Sequence, residues 1–452
     1  MASAVEQLAK NANFGALGKA TELKKRILFV MGALLVYRLG TYIPVPGIDP
    51  QIWDEIYSQK GGGILDMFNM FAGGALSRMT IFALNIMPYI SASIIMQLAA
   101  AMSPQLEAMK KEGEVGRMRL NQYTRYLTVL LASVQAYGLA VGLEAMQSAA
   151  GSAVIDPGMF FRVSTVITIV GGTVFLMWLG EQITQRGIGN GISLIIFAGI
   201  VAELPRAIAG TLELGRQGQF NFLTLLALFA MVIGVIVFIV FMERAQRRLV
   251  VQYPKRQIGN KMTMGDQNHI PLKMNTAGVI PPIFASSLLL LPLTIVGFSG
   301  ADGGDWTATL AGLLQHGQPA YMLLYGGLIV FFAFFYTAVV FNPQENADML
   351  RKHGGFIPGI RPGAPTASYM DYVLTRITTI GALYLVFICL LPEFMISKFS
   401  LPFYFGGTSL LIVVSVTMDT VAQIHSHLIA HQYEGLIKKA KLKGATGRSR
   451  RR

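Results

Sequence analysis

The hydrophobic residues of this chain gather in ten long stretches that are separated by polar connections. A helix rises about 1.5 Å per residue, so about 20 apolar residues cross a hydrocarbon core of about 30 Å. Only Arg38 places a formal charge inside any of these stretches. The pattern predicts an all-α polytopic membrane protein with ten transmembrane helices, at residues 27–43, 80–101, 126–143, 163–180, 187–202, 222–242, 274–297, 320–341, 377–392 and 399–418.

The positive charge lies almost entirely on alternate connections between these stretches. If the connections are counted alternately, those that include the N-terminal segment hold 30 of the 37 lysine and arginine residues. Because cytoplasmic loops carry an excess of Lys and Arg, this asymmetry predicts that both termini are cytoplasmic. Charged residues make up 13% of the chain, against about 25% in soluble proteins. Most of the net charge of +13 therefore follows from membrane topology rather than from nucleic-acid binding.

The ten spans divide by number into two halves of five, the plan of membrane proteins built from inverted repeats. No residue-level repeat is visible, so this division depends on counting alone. We expect a cytoplasmic segment, an N-terminal half, an outward hinge loop, a C-terminal half and a basic cytoplasmic tail, at residues 1–26, 27–209, 210–221, 222–424 and 425–452. The two long inner loops, 243–273 and 342–376, carry basic residues that suit lipid headgroups or a partner protein, and 249–253 is β-like.

A short apolar run lies in the outward loop 44–79, within 61–78, and has glycines at both ends. At about ten residues it is too short to span a bilayer. A re-entrant helix and an amphipathic helix on the outer leaflet are equally good interpretations of this length.

The chain lacks the patterns of most chemical sites. The sequence GALGKA at 15–20 has neither the glycine spacing nor the hydroxyl residue of a phosphate-binding loop, and no span carries the Asp, Glu or His of an ion relay. Cys389 is the only cysteine, and the six histidines fall outside the spans. We therefore expect no enzymatic activity, no metal and no cofactor.

Four segments combine apolar residues with helix-breaking or hydroxyl residues, at 85–93, 187–196, 278–287 and 406–412. Ile86 with Ile90, and Ile192 with Ile196, are i,i+4 pairs and so share a helix face. A ring of stiff, branched side chains can close a narrow hole by dewetting. Such spacing is more typical of ordinary packing or lipid contact, so it does not decide between these interpretations.

Eleven further motifs resemble the SecY family, the channel subunits of bacterial protein-translocation complexes. The resemblance covers nearly the whole chain, from about residue 22 to 443. The motifs that carry it are RLGTYIPVPGID (38–49), MFNMFAGGALSR (67–78), IMPYISASII (86–95), KKEGEVGR (110–117), YTRYLTV (123–129), MWLGEQITQRGIGNGISLIIFAGIV (177–201), ERAQRR (243–248), AGVIPPIFASS (277–287), FNPQENAD (341–348), GFIPGIRPG (355–363) and LPFYFGGTSLLIVVSV (401–416).

The resemblance implies two five-helix halves around an hourglass pore that unfolded secretory polypeptides cross. Its waist would be the pore ring of Ile86, Ile90, Ile192, Ile196, Ile283 and Ile412. A short re-entrant helix, the plug, would lie under the waist and swing aside, with the apolar residues Ile64, Leu65, Met67, Phe68, Met70 and Phe71. Apolar segments would leave into lipid through a lateral gate between the second and seventh spans, near Ser91, Gln97, Leu291 and Ile295.

The resemblance also implies partners. The channel would be passive and would be driven by the SecA ATPase or by a translating ribosome. Either would dock on Arg361, supported by Lys255, Arg256 and Lys261. SecE and SecG would complete a heterotrimer in the bacterial cytoplasmic membrane, with membrane lipids around it and signal-sequence-bearing polypeptides as its substrates.

Asn85 departs from the family pattern, because it stands where the family usually has glycine. Asn260–Lys261 replaces the basic pair often found near the tip of the first long loop, and Pro282 stands where the family often has alanine. Two other classes of protein compete with the channel. A secondary transporter for a small solute predicts a polar site at the bilayer midplane, for which the spans offer Asn85, Gln97, Asn190 and some hydroxyls. A membrane scaffold would not need spans that glycine and proline interrupt.

Overall fold

The computed structural model describes residues 21–60, 69, 72–145, 147–148, 151–218, 222–253, 257–258, 261–262, 267–298, 312, 318–399 and 407–448. These residues are mostly helical, and their strands form two-stranded sheets. Seven of the described helices are long and apolar enough to cross a membrane, and two further apolar helices are shorter. The all-α membrane fold class is confirmed, and the count of ten spans stays a prediction.

The predicted N-terminal half begins with a helix that carries Arg38 in its last turn. Its elements are α1 (Thr21–Gly40), α2 (Pro50–Lys60), α3 (Met87–Met102), α4 (Pro104–Lys111), α5 (Glu114–Ala145), β1 (Gln147–Ser148), β2 (Gly151–Ser152), α6 (Met159–Arg186) and α7 (Gly191–Arg216). Helix α3 starts at Met87 rather than at residue 80, because Thr80 lies in an isolated β-bridge and residues 81–86 form turns. Its Pro88 lies in the first turn, where the missing N–H costs no helical hydrogen bond.

The predicted C-terminal half contains α8 (Phe222–Arg244), β3 (Gln246–Gln252), β4 (Gln257–Ile258), β5 (Lys261–Met262), β6 (Gln267–Lys273), α9 (Ile280–Phe298), α10 (Pro319–Val340), α11 (Pro343–Lys352), α12 (Ala364–Phe399) and α13 (Gly407–Arg448). Helix α8 buries only Leu228 and Ile239. A uniformly apolar helix with so few buried side chains suits a position against lipid or against a partner helix.

Two ion pairs, each with two hydrogen bonds, join α5 to α6 at their opposite ends. Arg125 donates from Nε and Nη2 to the Glu181 carboxylate at 2.9 and 2.7 Å. Arg162 donates from Nε and Nη2 to Glu144 Oε2 at 2.9 and 2.6 Å. Such fork-shaped pairs fix direction as well as distance, so they hold the two helices in register.

The two predicted halves meet on two fronts. On one front, α9 packs against α3 and α5, and on the other, α13 packs against α7 and α1. One large apolar cluster lies between these fronts and draws buried side chains from helices of both halves. The centre of the molecule is therefore an apolar junction between the halves.

Candidate functional site

Four isoleucines of the predicted pore ring belong to this central apolar cluster, and the other two pack against it. Ile86 and Ile412 are each 1% exposed, Ile196 is 5% exposed and Ile90 is 7% exposed. Ile192 and Ile283 are partly buried and pack against the same cluster. The ring residues come from the start of α3, from α7, from α9 and from α13, so each predicted half contributes two helices.

The turn that precedes α3 sets the position of the first two isoleucines. Asn85 has φ +48°, in the left-handed region, and Ile86 is the N-cap residue of α3. Asparagine tolerates this region better than most residues, and glycine tolerates it best. The departure from the family's glycine therefore keeps the same backbone conformation available. The Asn85 side chain is buried and lies close to Tyr37 of α1.

The starts of α7 and α13 are fixed by hydrogen bonds close to the ring. Asn190 caps α7, and its Oδ1 accepts from the backbone N–H of Ile192 at 3.2 Å. In α13 the Thr408 hydroxyl lies 2.8 Å from the Tyr325 hydroxyl of α10. A Cβ at Gly407 would clash with the carbonyl oxygen of Ile388, so glycine lets the first turn of α13 lie directly on α12.

The predicted lateral gate corresponds to a real helix contact, because α3 packs directly against α9. Ser91 is buried on α3, and Gln97 is half-buried and donates to Ser93 Oγ at 3.2 Å. The side chains of Leu291 and Ile295 lie outside the described residues, although their backbone belongs to α9. The structure thus brings together the two helices of the predicted gate and describes two of its four side chains.

The six apolar residues of the predicted plug, at 64, 65, 67, 68, 70 and 71, all lie outside the described residues. The segment that follows them is described and almost completely buried over residues 72–80. The Trp53 indole of α2 donates to its Leu76 carbonyl oxygen at 3.1 Å. The segment that follows the predicted plug is therefore firmly packed.

The two long inner loops fold together on the predicted cytoplasmic side. Strand β3 lies at the predicted β-like patch and pairs antiparallel with β6. Gln252 and Phe356 exchange backbone hydrogen bonds of 2.8 and 3.0 Å, which join the first loop to the second. Beneath them lies an apolar cluster of Leu249, Val251, Leu272, Ile357, Met370, Val373 and Ile377.

The predicted docking residues are described unequally. Arg361 is exposed, and its carbonyl oxygen accepts from the Thr366 hydroxyl at 2.8 Å, which fixes the loop at the start of α12. Lys255 and Arg256 lie outside the described residues, and of Lys261 only the backbone, in β5, is described. Arg361 is thus presented on a folded platform.

The comparisons with known proteins agree with this arrangement. The SecY family model matches residues 80–421. The protein translocase subunit SecY of Escherichia coli K12 is 57% identical over 430 residues, which cover 95% of this chain and 97% of that protein. The SecY subunit of Rickettsia conorii is 55% identical over 422 residues, 93% of this chain and 97% of that protein.

The chain belongs to the SecY family. Solved structures with the same fold include one described as a protein conducting channel, with a TM-score of 0.64 at 18% identity over 89% of this chain and 92% of that one. Another is Sec61 in the canine ribosome-channel complex, with a TM-score of 0.60 and the same identity and coverage. Membership of the SecY family and the seven apolar helices found among the described residues establish a multi-pass membrane protein.

Several features of this SecY-family chain could not be anticipated from its sequence pattern. Arg38 is the one formal charge within the predicted spans, and it donates to the Gly73 carbonyl oxygen at 2.8 Å. Glu203 of α7 forms an ion pair with Arg78, with 3.9 Å between Glu203 Oε1 and Arg78 Nη2. The only available signal was the presence of charges near apolar stretches, which does not identify their partners.

Proposed function

We propose that this chain is a protein-conducting channel, in which unfolded secretory polypeptides cross the bacterial cytoplasmic membrane and apolar segments leave sideways into lipid. The observation that carries the proposal is that four of the six isoleucines are buried in one apolar cluster and the other two pack against it, with each half contributing two helices. The SecY relatives, named protein translocase subunits, support the same activity.

The chemistry of this cluster suits a gate for polypeptide. A narrow waist of branched aliphatic side chains excludes water when it is empty, which keeps ions from crossing. Each side chain makes only weak dispersion contacts, so the ring can adapt to a passing chain without selecting a sequence. No specific polar recognition is needed at the waist.

Lateral release would take place between α3 and α9, which pack against each other. A segment of about 20 apolar residues prefers hydrocarbon to water, whereas a polar segment moves on through the pore. Opening a seam between these helices would let each passing segment partition according to its own hydrophobicity.

The cytoplasmic platform around Arg361 would receive the partner that drives transport. Because the apolar ring supplies no energy, the push would come from the SecA ATPase or from a translating ribosome. SecE and SecG would complete the complex, and both chain termini would be cytoplasmic. The positive charge on the inner connections and the folded, exposed position of Arg361 support this orientation.

The test places single cysteines at Ile86 and Ile283 and traps a stalled secretory chain in reconstituted membranes. We expect both positions to crosslink to the stalled chain, since they come from opposite halves of the same cluster. A cysteine at Ile233, which is 62% exposed on α8, is the matched control and should not crosslink. Equal crosslinking at all three positions, or none at Ile86 and Ile283, would refute this path.

A further inference from the structure

We propose that Asn275, held by Glu243, is a positioning residue that fixes where helix α9 begins and therefore which of its side chains faces the pore ring. Asn275 lies in the α9 junction, defined as residues 274–279, between the end of β6 and the start of α9. The inference deepens the proposed function and rests on it, because it requires that Ile283 of α9 lines the path of the passing chain.

The Asn275 side chain ties the α9 junction to the end of α8. Asn275 is 4% exposed, and its Nδ2 donates to Glu243 Oε1 at 2.6 Å and to the Gly278 carbonyl oxygen at 3.0 Å. A hydrogen bond to a carboxylate is stronger than one between neutral groups. One buried amide thus fastens the junction to α8 and closes the junction on itself.

The backbone just before Asn275 is also held in place. The N–H of Met274 donates to the Ala245 carbonyl oxygen at 2.9 Å, next to the paired ends of β3 and β6. A Cβ at Gly381 of α12 would lie 2.7 Å from the Met274 carbonyl oxygen, so α12 lies directly against this point. The chain therefore enters the junction from a fixed position, and the bonds of Asn275 determine how it continues.

The far end of the junction leads straight into the first turn of α9. Gly278 has φ +63°, a region that favours glycine, and α9 begins two residues later at Ile280. A helix has about 3.6 residues per turn, so a slip of one residue turns each side chain by about 100°. The register set in the junction therefore decides whether Ile283 points to the central apolar cluster.

A second contact of α9 with its own half agrees with the same register. The ring of Phe284 packs edge-on against those of Phe332 and Tyr336 of α10, with centroid distances of 5.7 and 6.4 Å and interplanar angles of 87°. Edge-to-face packing is one of the preferred arrangements of aromatic pairs. Because Phe284 is the neighbour of Ile283 in the sequence, a slip of α9 would displace both side chains together.

The test measures how fast single cysteines at Ile283 and at Ile86 crosslink to a stalled secretory chain. The channel is full-length and reconstituted, and it carries Cys389→Ala. Asn275→Asp removes the donor and sets two carboxylates against each other, so the rate at Ile283 should fall by about tenfold, the lower end of the range for losing a hydrogen bond to a charged group. Ile86 lies at the start of α3 in the other half and should keep its rate.

Changes at Glu243 test the same contact from its other side. Glu243→Gln keeps an oxygen that accepts from Asn275 and should leave both rates unchanged, whereas Glu243→Met has a similar length without an acceptor and should lower only the rate at Ile283. When Glu243→Gln is combined with Asn275→Asp, the new amide can donate to the new carboxylate. The rate at Ile283 should then recover by about threefold from that of Asn275→Asp alone, since only the bond to Gly278 stays lost.

Glu144→Met is the matched control for general loosening of the fold. The Glu144 carboxylate accepts hydrogen bonds from Gly158 and Arg162 at the predicted outer end of α5, whereas the α9 junction lies on the predicted cytoplasmic side. This control loses more hydrogen bonds than Glu243→Met does, and both crosslinking rates should nevertheless stay unchanged. Thermal unfolding in detergent shows which variants are folded. If Asn275→Asp is not folded, the contrast between Glu243→Met and Glu243→Gln decides.

The outcomes separate this inference from the proposed function. An unchanged rate at Ile283 in Asn275→Asp, an equal fall at Ile283 and Ile86, or a combined variant no faster than Asn275→Asp would overturn the inference and leave the channel standing. If neither cysteine crosslinks in the channel without changes at the junction, the proposed path is refuted, and this inference with it.

Discussion

Replacing Ile86 by asparagine should let water and ions into the resting waist. Ile86 is 1% exposed, so the new amide would be buried in the central cluster. A buried polar group without a hydrogen-bond partner costs about 1–3 kcal/mol, and hydration of the waist relieves this cost. Since about 1.4 kcal/mol corresponds to a factor of ten, the hydrated population should rise by about fivefold to a hundredfold.

The assay is the ion leak of purified channel in sealed vesicles without any translocating chain. Ile86→Leu is the matched control, because it keeps the volume and the apolar character of the side chain. Ile192→Asn should have a smaller effect, since Ile192 is only partly buried, and the double variant should leak most and discriminate least between signal sequences. Thermal unfolding in detergent must first show that each variant is folded. If Ile86→Asn then leaks no more than Ile86→Leu, Ile86 does not line a dewetted gate.

Three further changes test local structure and docking. Gly407→Ala should lower the free energy of unfolding by about 1–3 kcal/mol, because the added Cβ would clash with the Ile388 carbonyl oxygen. Gly327→Ala is the control and should not lower it, because nothing lies within 4 Å of its added Cβ. Equal thermal unfolding of the two variants would contradict the close approach of α13 to α12. Asn85→Val should cost about 1–2 kcal/mol more than Asn85→Gly, because both variants lose the amide but only valine is strained at the left-handed φ. Unfolding curves in the reverse order would exclude the backbone explanation. Arg361→Glu should reduce motor-driven transport at unchanged stability, with Arg351→Glu as the exposed control; normal transport rates would remove Arg361 from the docking site.

The hydrophobic pattern predicted the helical membrane fold because a bilayer requires long apolar segments with internally satisfied backbones. It failed at residues 81–86, which are mostly apolar but form turns. Hydropathy reports the solvent preference of side chains but not backbone conformation. It therefore does not show that the left-handed Asn85 and Pro88 together place the start of α3 at Met87. The family resemblance gave the hint, through the glycine that usually occupies position 85.

The candidate site was only partly predictable from local sequence patterns. The i,i+4 rule pointed to Ile86 with Ile90 and to Ile192 with Ile196, whereas Ile283 and Ile412 came from the resemblance alone. Contacts between distant segments leave no such periodic signal. The pairing of Gln252 with Phe356 and that of Arg78 with Glu203 therefore appeared only in the structure.

The two fronts on which the halves meet differ in chemistry, and this difference favours opening on one side. Between α13 and α7, the N–H of Gly189 donates to Gln423 Oε1 at 2.8 Å, and buried Ile188 packs with Leu23 and Leu428. Helices α3 and α9 instead bury apolar side chains such as Ile90 and Phe284 together with small hydroxyl residues such as Ser91 and Ser287. Hydrogen bonds are directional and are lost on separation, whereas an apolar face loses little when lipid or an apolar segment replaces its neighbour. We therefore expect an apolar signal segment to substitute for the contact between α3 and α9, with the opposite front as the pivot.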